Sequence, residues 1–129
     1  MTDPDFPDDL RSFIQEQIPT VDAAELLLVL AREPARQYDL RDVLDALRPT
    51  VLGEPVARRH LAHFEANGLV TSVGGDLYQY SPASPALDGA VHALMKAYNE
   101  RPVTLVRIIY APKDEKIRSF ADAFRLKKQ

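Results

Sequence analysis

The stretch VARRHLAHFEANGLV, residues 56–70, holds the side chains best suited to recognition chemistry: adjacent Arg58 and Arg59, with His60 and His63 three residues apart. A guanidinium can grip phosphate or read guanine through two parallel hydrogen bonds. Two imidazoles at helical spacing can approach one metal ion, but a zinc site needs further ligands. The chain has no cysteine, and His92 is the remaining histidine. His60 therefore reads more simply as a histidine at the edge of a core, and no metal site is expected. Gly74-Gly75 lacks the Gly-Lys-Ser/Thr or GxGxxG setting of a phosphate loop, and none of the five serines lies in a nucleophile elbow. The scattered carboxylates read as helix caps rather than acid/base couples. No catalytic residue and no cofactor is expected, and the chain reads as a non-enzyme.

What must position the two arginines is a helix over about 55–67. Pro55 suits its first turn, where a missing amide costs nothing, and Gly68 stops it. At about 100° per residue, Ala57, Leu61 and Phe64 share one side and face a core. Pro55, Arg59, Ala62 and Ala66 point the other way, Arg58 and His63 flank that outward face, and His60 lies nearer the buried edge. Alanines beside arginines permit close approach of a partner. Arg58 and Arg59 read either as a nucleic-acid contact or as a solvated or protein-facing pair, with His63 as a further contact candidate.

Around this helix the pattern continues. Asp8-Asp9 precede a first helix carrying Leu10, Phe13, Ile14 and Ile18 and closed by Pro19. Thr20 or Asp22 can cap a second, whose run Leu26–Leu30 implies burial nearly all round, and Pro34 stops it. Asp39 can cap a third, with Leu40, Val43, Leu44 and Leu47 as its apolar stripe, ended by Pro49. After Gly68, LVTSV and DLYQY flank Gly74-Gly75 as a β-hairpin. SPASPALD interrupts, and Leu87, Val91, Leu94, Met95 and Tyr98 resume a helical stripe ending around Asn99. RPVTLVRIIYAP fits a helix from Pro102 through Val103, Val106, Ile109 and Tyr110, although its β-branched content also suits a strand. In the tail, Ile117, Phe120, Ala121 and Phe124 share a helical face before Lys127-Lys128.

A length of 129 residues, with 46% hydrophobic and 27% charged side chains, fits one folded domain. No apolar run approaches the roughly 20 residues that cross a bilayer. The acidic start MTDPDFPDDL is opposite in sign to a secretory leader, so a cytoplasmic location and no membrane partner are expected. The net charge of −3 conceals a gradient: residues 1–45 hold eleven acids against four bases, and residues 96–129 hold nine bases against four acids. Such polarity can steer an acidic partner or join the two ends within one molecule or across a dimer.

Three helices followed by a hairpin is the element order of a winged helix-turn-helix. Residues 40–81, LRDVLDALRPTVLGEPVARRHLAHFEANGLVTSVGGDLYQYS, resemble the core of bacterial winged-helix regulators, broadly the MarR-like group. Ala57, Leu61, Phe64, Gly68 and Leu69 fall at that pattern's packing positions. The resemblance implies that residues around the start of the recognition helix touch DNA; here those are Thr50, Gly53, Glu54, Pro55, Arg58, Arg59 and Ala62. Glu54 and Pro55 depart from the small hydroxyl residues that would help there. The hairpin departs too, since no lysine or arginine occurs between Arg59 and Lys96 and its tip carries Asp76.

The expected fold is mainly α with a small β-hairpin, a winged helix-turn-helix with additional C-terminal helices. Its expected parts are an N-terminal helical extension (1–19), the winged core (20–81) and a C-terminal helical extension (82–129). The expected function is transcriptional regulation by a homodimer on duplex DNA. Arg58 and Arg59 would lie in the major groove, supported by His63, Thr50 and Ala62. Leu87, Val91, Leu94, Met95 and Tyr98 would form the dimer contact. The alternative is a winged-helix module that binds a protein in a regulatory complex without touching DNA. Surroundings discriminate the two: Arg58 and Arg59 joined to Lys96, Arg101 or the tail bases favour DNA, whereas acids from the first 45 residues around them favour a protein.

Overall fold

A computed structural model describes residues 7–111, in which α1 (Asp8–Gln17), α2 (Val21–Arg32), α3 (Leu40–Ala46) and α4 (Glu54–Ala66) precede a hairpin of β1 (Val70–Val73) and β2 (Leu77–Tyr80). Two further helices follow, α5 (Pro85–Glu100) and α6 (Pro102–Tyr110). α2, α3 and α5 begin where a side chain caps the unpaired amides of the first turn, and α4, α5 and α6 have a proline there, whose missing amide needs no partner. The architecture is mainly helical with one small antiparallel hairpin, as the sequence leads one to expect. Thr20, rather than Asp22, is the N-cap of α2, its hydroxyl accepting from the Ala23 amide at 3.2 Å. Ser84 caps α5 in the same way through the Leu87 amide. The tail stripe of Ile117, Phe120, Ala121 and Phe124 lies outside the described residues.

At α3 the cap is reciprocal. The Asp42 amide donates to Asp39 Oδ1 at 2.7 Å and the Asp39 amide to Asp42 Oδ2 at 3.1 Å, closing a capping box. A seven-residue helix has few internal hydrogen bonds of its own, so this box weighs heavily in its formation. Asp39→Ala is expected to lower the unfolding free energy by about 1 kcal/mol, with Asp39→Ser nearly neutral. Urea denaturation of the two variants checks it; equal loss in both would show that the cap contributes nothing.

α2 occupies the centre. Its Ala23, Ala24, Leu26, Leu27, Leu28 and Leu30 are fully buried, because α3, α4, α5 and the hairpin all pack against it. α1 closes the core from the other side by lying on α5 and α6, with Leu10, Phe13 and Ile14 turned inward. The acidic N-terminal part of the chain thus meets the C-terminal helices within one molecule. None of the described helices is long and apolar enough to cross a membrane.

Two features of the hairpin differ from the sequence reading. Gly74, Gly75 and Asp76 all have positive φ (27°, 65° and 60°), so the turn takes three residues and the second strand starts at Leu77. Tyr38 also joins the hairpin: its amide donates to the Tyr78 carbonyl at 2.8 Å and the Tyr78 amide returns a bond at 2.7 Å. That backbone pair ties the segment before α3 to the edge of β2.

The two C-terminal helices differ in how their apolar residues are used. On α6 the buried residues are Leu105, Ile108 and Ile109, while Val103, Val106 and Tyr110 are exposed; of the expected stripe only Ile109 faces inward. On α5, Val91 and Leu94 are fully buried in the chain's own core, with Leu87, Met95 and Tyr98 packed against it. Val91 and Leu94 are thus committed to the chain's own core, while Leu87, Met95 and Tyr98 keep part of their surface.

Candidate functional site

α4 has the orientation its sequence implies. Ala57, Leu61 and Phe64 are fully buried, His60 is also buried, and Pro55, Arg58, Arg59, Ala62 and Ala66 are exposed. Phe64 and Leu61 seat the helix on α2 and α3, which fixes the outward direction of the two arginines. Of the five residues expected to contact DNA, three stand on this open face: Arg58, Arg59 and Ala62.

The other two are engaged inside the molecule. His63 donates from Nε2 to the Gln17 carbonyl at the end of α1, 3.0 Å away, and accepts at Nδ1 from the Asn67 side-chain amide at 3.4 Å. Thr50 donates its hydroxyl to Glu25 on α2 at 3.2 Å, and Tyr98 of α5 donates to the same carboxylate at 2.7 Å. The Glu25 hydrogen bond is the first cause that holds the Tyr98 hydroxyl above its ordinary pKa. Glu25 thus clamps the loop ahead of α4 to α2 and α5 at once, a positioning role for Thr50.

Arg58 opens onto a cleft between α3, the start of α4 and the hairpin turn, with a volume of about 520 Å³. Asp39, Arg41, Asp45, Arg48, Glu54 and Asp76 line it with Arg58, over a partly apolar floor of Leu40 and Leu44. Arg58 pairs with Glu54 one turn back at 4.0 Å, and Arg48 with Asp45 at 3.4 Å; all four side chains are largely exposed. Surface pairs of this kind contribute about 0–1 kcal/mol and exchange readily for an incoming partner's charges. Lys96 and Arg101 line a different cleft, with Pro7, Leu10 and Glu100. Arg58 therefore shares its cleft with Asp39 and Asp45 from the first 45 residues, and Lys96 and Arg101 lie at another.

Arg41 and Arg48 are the residues that the sequence reading passed over. With Leu44 and Asp45 they recur at the spacing of one helical face, i, i+3, i+4 and i+7, a signal visible in LRDVLDALR beside the apolar stripe. The expected departure at the hairpin is present in space as well, since Asp76 reaches the cleft wall while no cation comes from either strand. His60 and His63 do not converge on a common ligand, one being turned inward and the other pinned to α1. Compared against models of known protein families, curated proteins and solved structures, the chain matches none.

Proposed function

We propose that residues 20–81 form a winged helix-turn-helix that serves in regulation by docking a protein partner through the cleft between α3, α4 and the hairpin turn, inside the cytoplasm and without catalysis. The order α2, α3, α4, β1, β2, with α4 packed across α2 and α3 and its arginines outward, supports the winged-helix reading. One observation carries the choice of partner: Arg58, Arg41 and Arg48 share their cleft with Asp39, Asp45, Glu54 and Asp76. Residues 39–80 hold four bases and six acids. A duplex draws its affinity from phosphate neutralisation, and a surface with more acids than bases forfeits that. Mixed charges around a half-apolar floor instead suit a protein segment carrying both signs and an apolar anchor.

A second reading, duplex DNA, has its own observation. Arg41, Arg48, Arg58 and Arg59 are all exposed and come from adjacent elements, and neither Arg41 nor Arg59 is in an ion pair among the described residues. In that reading Arg58 and Arg59 enter the major groove and Ala62 meets a thymine methyl.

Titrating labelled duplexes of mixed sequence at low and physiological salt separates the two. The protein reading predicts duplex affinity no tighter than the non-specific range of about 10⁻⁴–10⁻⁶ M at physiological salt, barely changed by Arg58→Ala or Arg59→Ala. It further predicts that a photo-crosslinker at Ala62 joins a defined protein in the cell, and that Arg48→Glu combined with Arg58→Glu abolishes that adduct. Tight duplex binding with a steep salt dependence, weakened by either arginine variant, would overturn it in favour of DNA.

A further inference from the structure

We infer that the outward face of α6 docks a second copy of this chain, pairing the two α6 helices antiparallel about a twofold axis beside Val106. Among the described residues four large hydrophobic side chains are exposed, and three of them stand on α6: Val103 (69%), Val106 (39%) and Tyr110 (57%). With the exposed Arg107 they recur at i, i+3, i+4 and i+7, one continuous face of a helix whose Leu105, Ile108 and Ile109 are committed to the core. Apolar residues exposed singly are ordinary in a folded protein, whereas a contiguous row of them marks a contact surface. The row is also held in place. The Tyr110 hydroxyl accepts from the Val21 amide at 3.2 Å, which holds the ring, and the two β-branched valines are stiff at χ1. A partner therefore orders little on binding. No residue of this face lines the cleft of α3, α4 and the hairpin.

Charge selects the occupant. α1 and α6 run side by side in the same direction, since Pro7 and Leu10 share a cleft with Arg101 at one end and Tyr110 meets Val21, just past α1, at the other. Asp8 and Asp9 in the first turn of α1 are exposed and stand by the start of α6, while Arg107 lies in its last turn. Arg107 is in no ion pair among the described residues. Turning a second copy end over end about Val106 brings its Asp8 and Asp9 towards Arg107 of the first, and the reverse contact forms by symmetry. The antiparallel pair also sets the positive end of each helix dipole beside the negative end of the other. The apolar row meets itself at the centre and the charges close its rim, the anatomy of a specific interface. An anionic membrane lacks this fit, because Asp8 and Asp9 would face its headgroups. The nine residues of α6 span about 14 Å, a contact at the small end for a specific interface, so the pair dissociates on dilution.

Light scattering of the whole chain between about 1 μM and about 1 mM, the range in which so small a contact dissociates, tests the pairing. The expected mass rises from one chain towards two. Val106→Glu, which sets two carboxylates together at the axis, is expected to hold the single-chain mass throughout, and Val51→Glu, at the fourth exposed hydrophobic, to leave the rise unchanged. Arg107→Glu is expected to shift the rise to higher concentration, and adding Asp8→Lys and Asp9→Lys to bring it back. A single-chain mass at every concentration, a rise in Val106→Glu equal to that of the unaltered chain, or no recovery on charge exchange would each overturn the pairing. Should Val106→Glu fail to fold, Val106→Cys decides, because the chain has no cysteine of its own. Mild oxidation is expected to join two copies of Val106→Cys through a disulfide and not two copies of Val51→Cys; equal joining in both variants, or none in Val106→Cys, overturns it.

Discussion

Phe64→Ala is expected to lower the unfolding free energy by about 3–5 kcal/mol, a large part of the roughly 5–15 kcal/mol that holds a domain of this size together. The ring is fully buried on the inner face of α4, between the alanines and leucines that join α4 to α2 and α3. Its backbone carbonyl also accepts from the Leu69 amide at 2.9 Å, so the end of α4 and the start of the hairpin turn about this residue. Removing the ring leaves a cavity that the backbone cannot collapse to fill, which adds to the lost transfer free energy. Phe64→Leu keeps most of the volume and is expected to cost less than about 2 kcal/mol. Urea denaturation with an unchanged slope measures both. A loss under about 1 kcal/mol in Phe64→Ala would show that α4 is not held in place by this side chain, and the fixed outward direction of Arg58 and Arg59 would lose its basis.

Gly68→Val carries the second large effect. Gly68 sits at φ 77°, where a β-branched side chain is strained by about 1–3 kcal/mol. A Cβ there would also come within 3.1 Å of the Ala83 Cβ, in the segment leading to α5. The approach cannot relax cheaply, because the Ala83 amide donates to the Gly68 carbonyl at 2.8 Å and keeps the two segments together. The total expected cost is about 2–4 kcal/mol by denaturation. Gly89 gives the opposite sign: it lies in the exposed interior of α5 with open space where its Cβ would be, so Gly89→Ala is expected to stabilise by about 0.5–1 kcal/mol. Destabilisation of similar size in both variants would remove the argument from conformation at Gly68. The functional weight of Gly68 follows from its place, since one turn orients both the end of α4 and the hairpin whose tip, with Asp76, walls the cleft.

The helices were legible because their signals are local. Asp39 at a cap, proline in the first turns of α4, α5 and α6, and apolar residues three and four apart on α4 each act within one or two turns. Even the buried edge for His60 followed from the angle between it and Leu61. The α6 face was misread because the exposed side that Arg107 marks also carries Val103, Val106 and Tyr110, which the sequence reading grouped with Ile109, while Leu105 and Ile108 turn inward. On α5 the spacing of the stripe suits a fold or a dimer equally, and the packing of α1 and α2 that buries Val91 and Leu94 within the chain has no local signal in the sequence. Tyr38 was invisible for a third reason: its hydrogen-bonded partner Tyr78 is forty residues away in the chain.

Arg58 and Arg59 show the same division at the candidate site. The sequence by itself determined that both arginines lie on the outer face of a helix, because helical geometry and the apolar residues of that helix are enough to orient it. Which charges surround them, and which neighbours Thr50 and His63 engage instead, was decided only by the tertiary structure. Asp39 and Asp45 of α3 and Asp76 of the hairpin turn line the cleft onto which Arg58 opens, and Gln17 reaches His63 from α1. A charge acts through the distance left after the chain has folded, not through its position in the sequence, and that distance is set by how the helices and the hairpin pack.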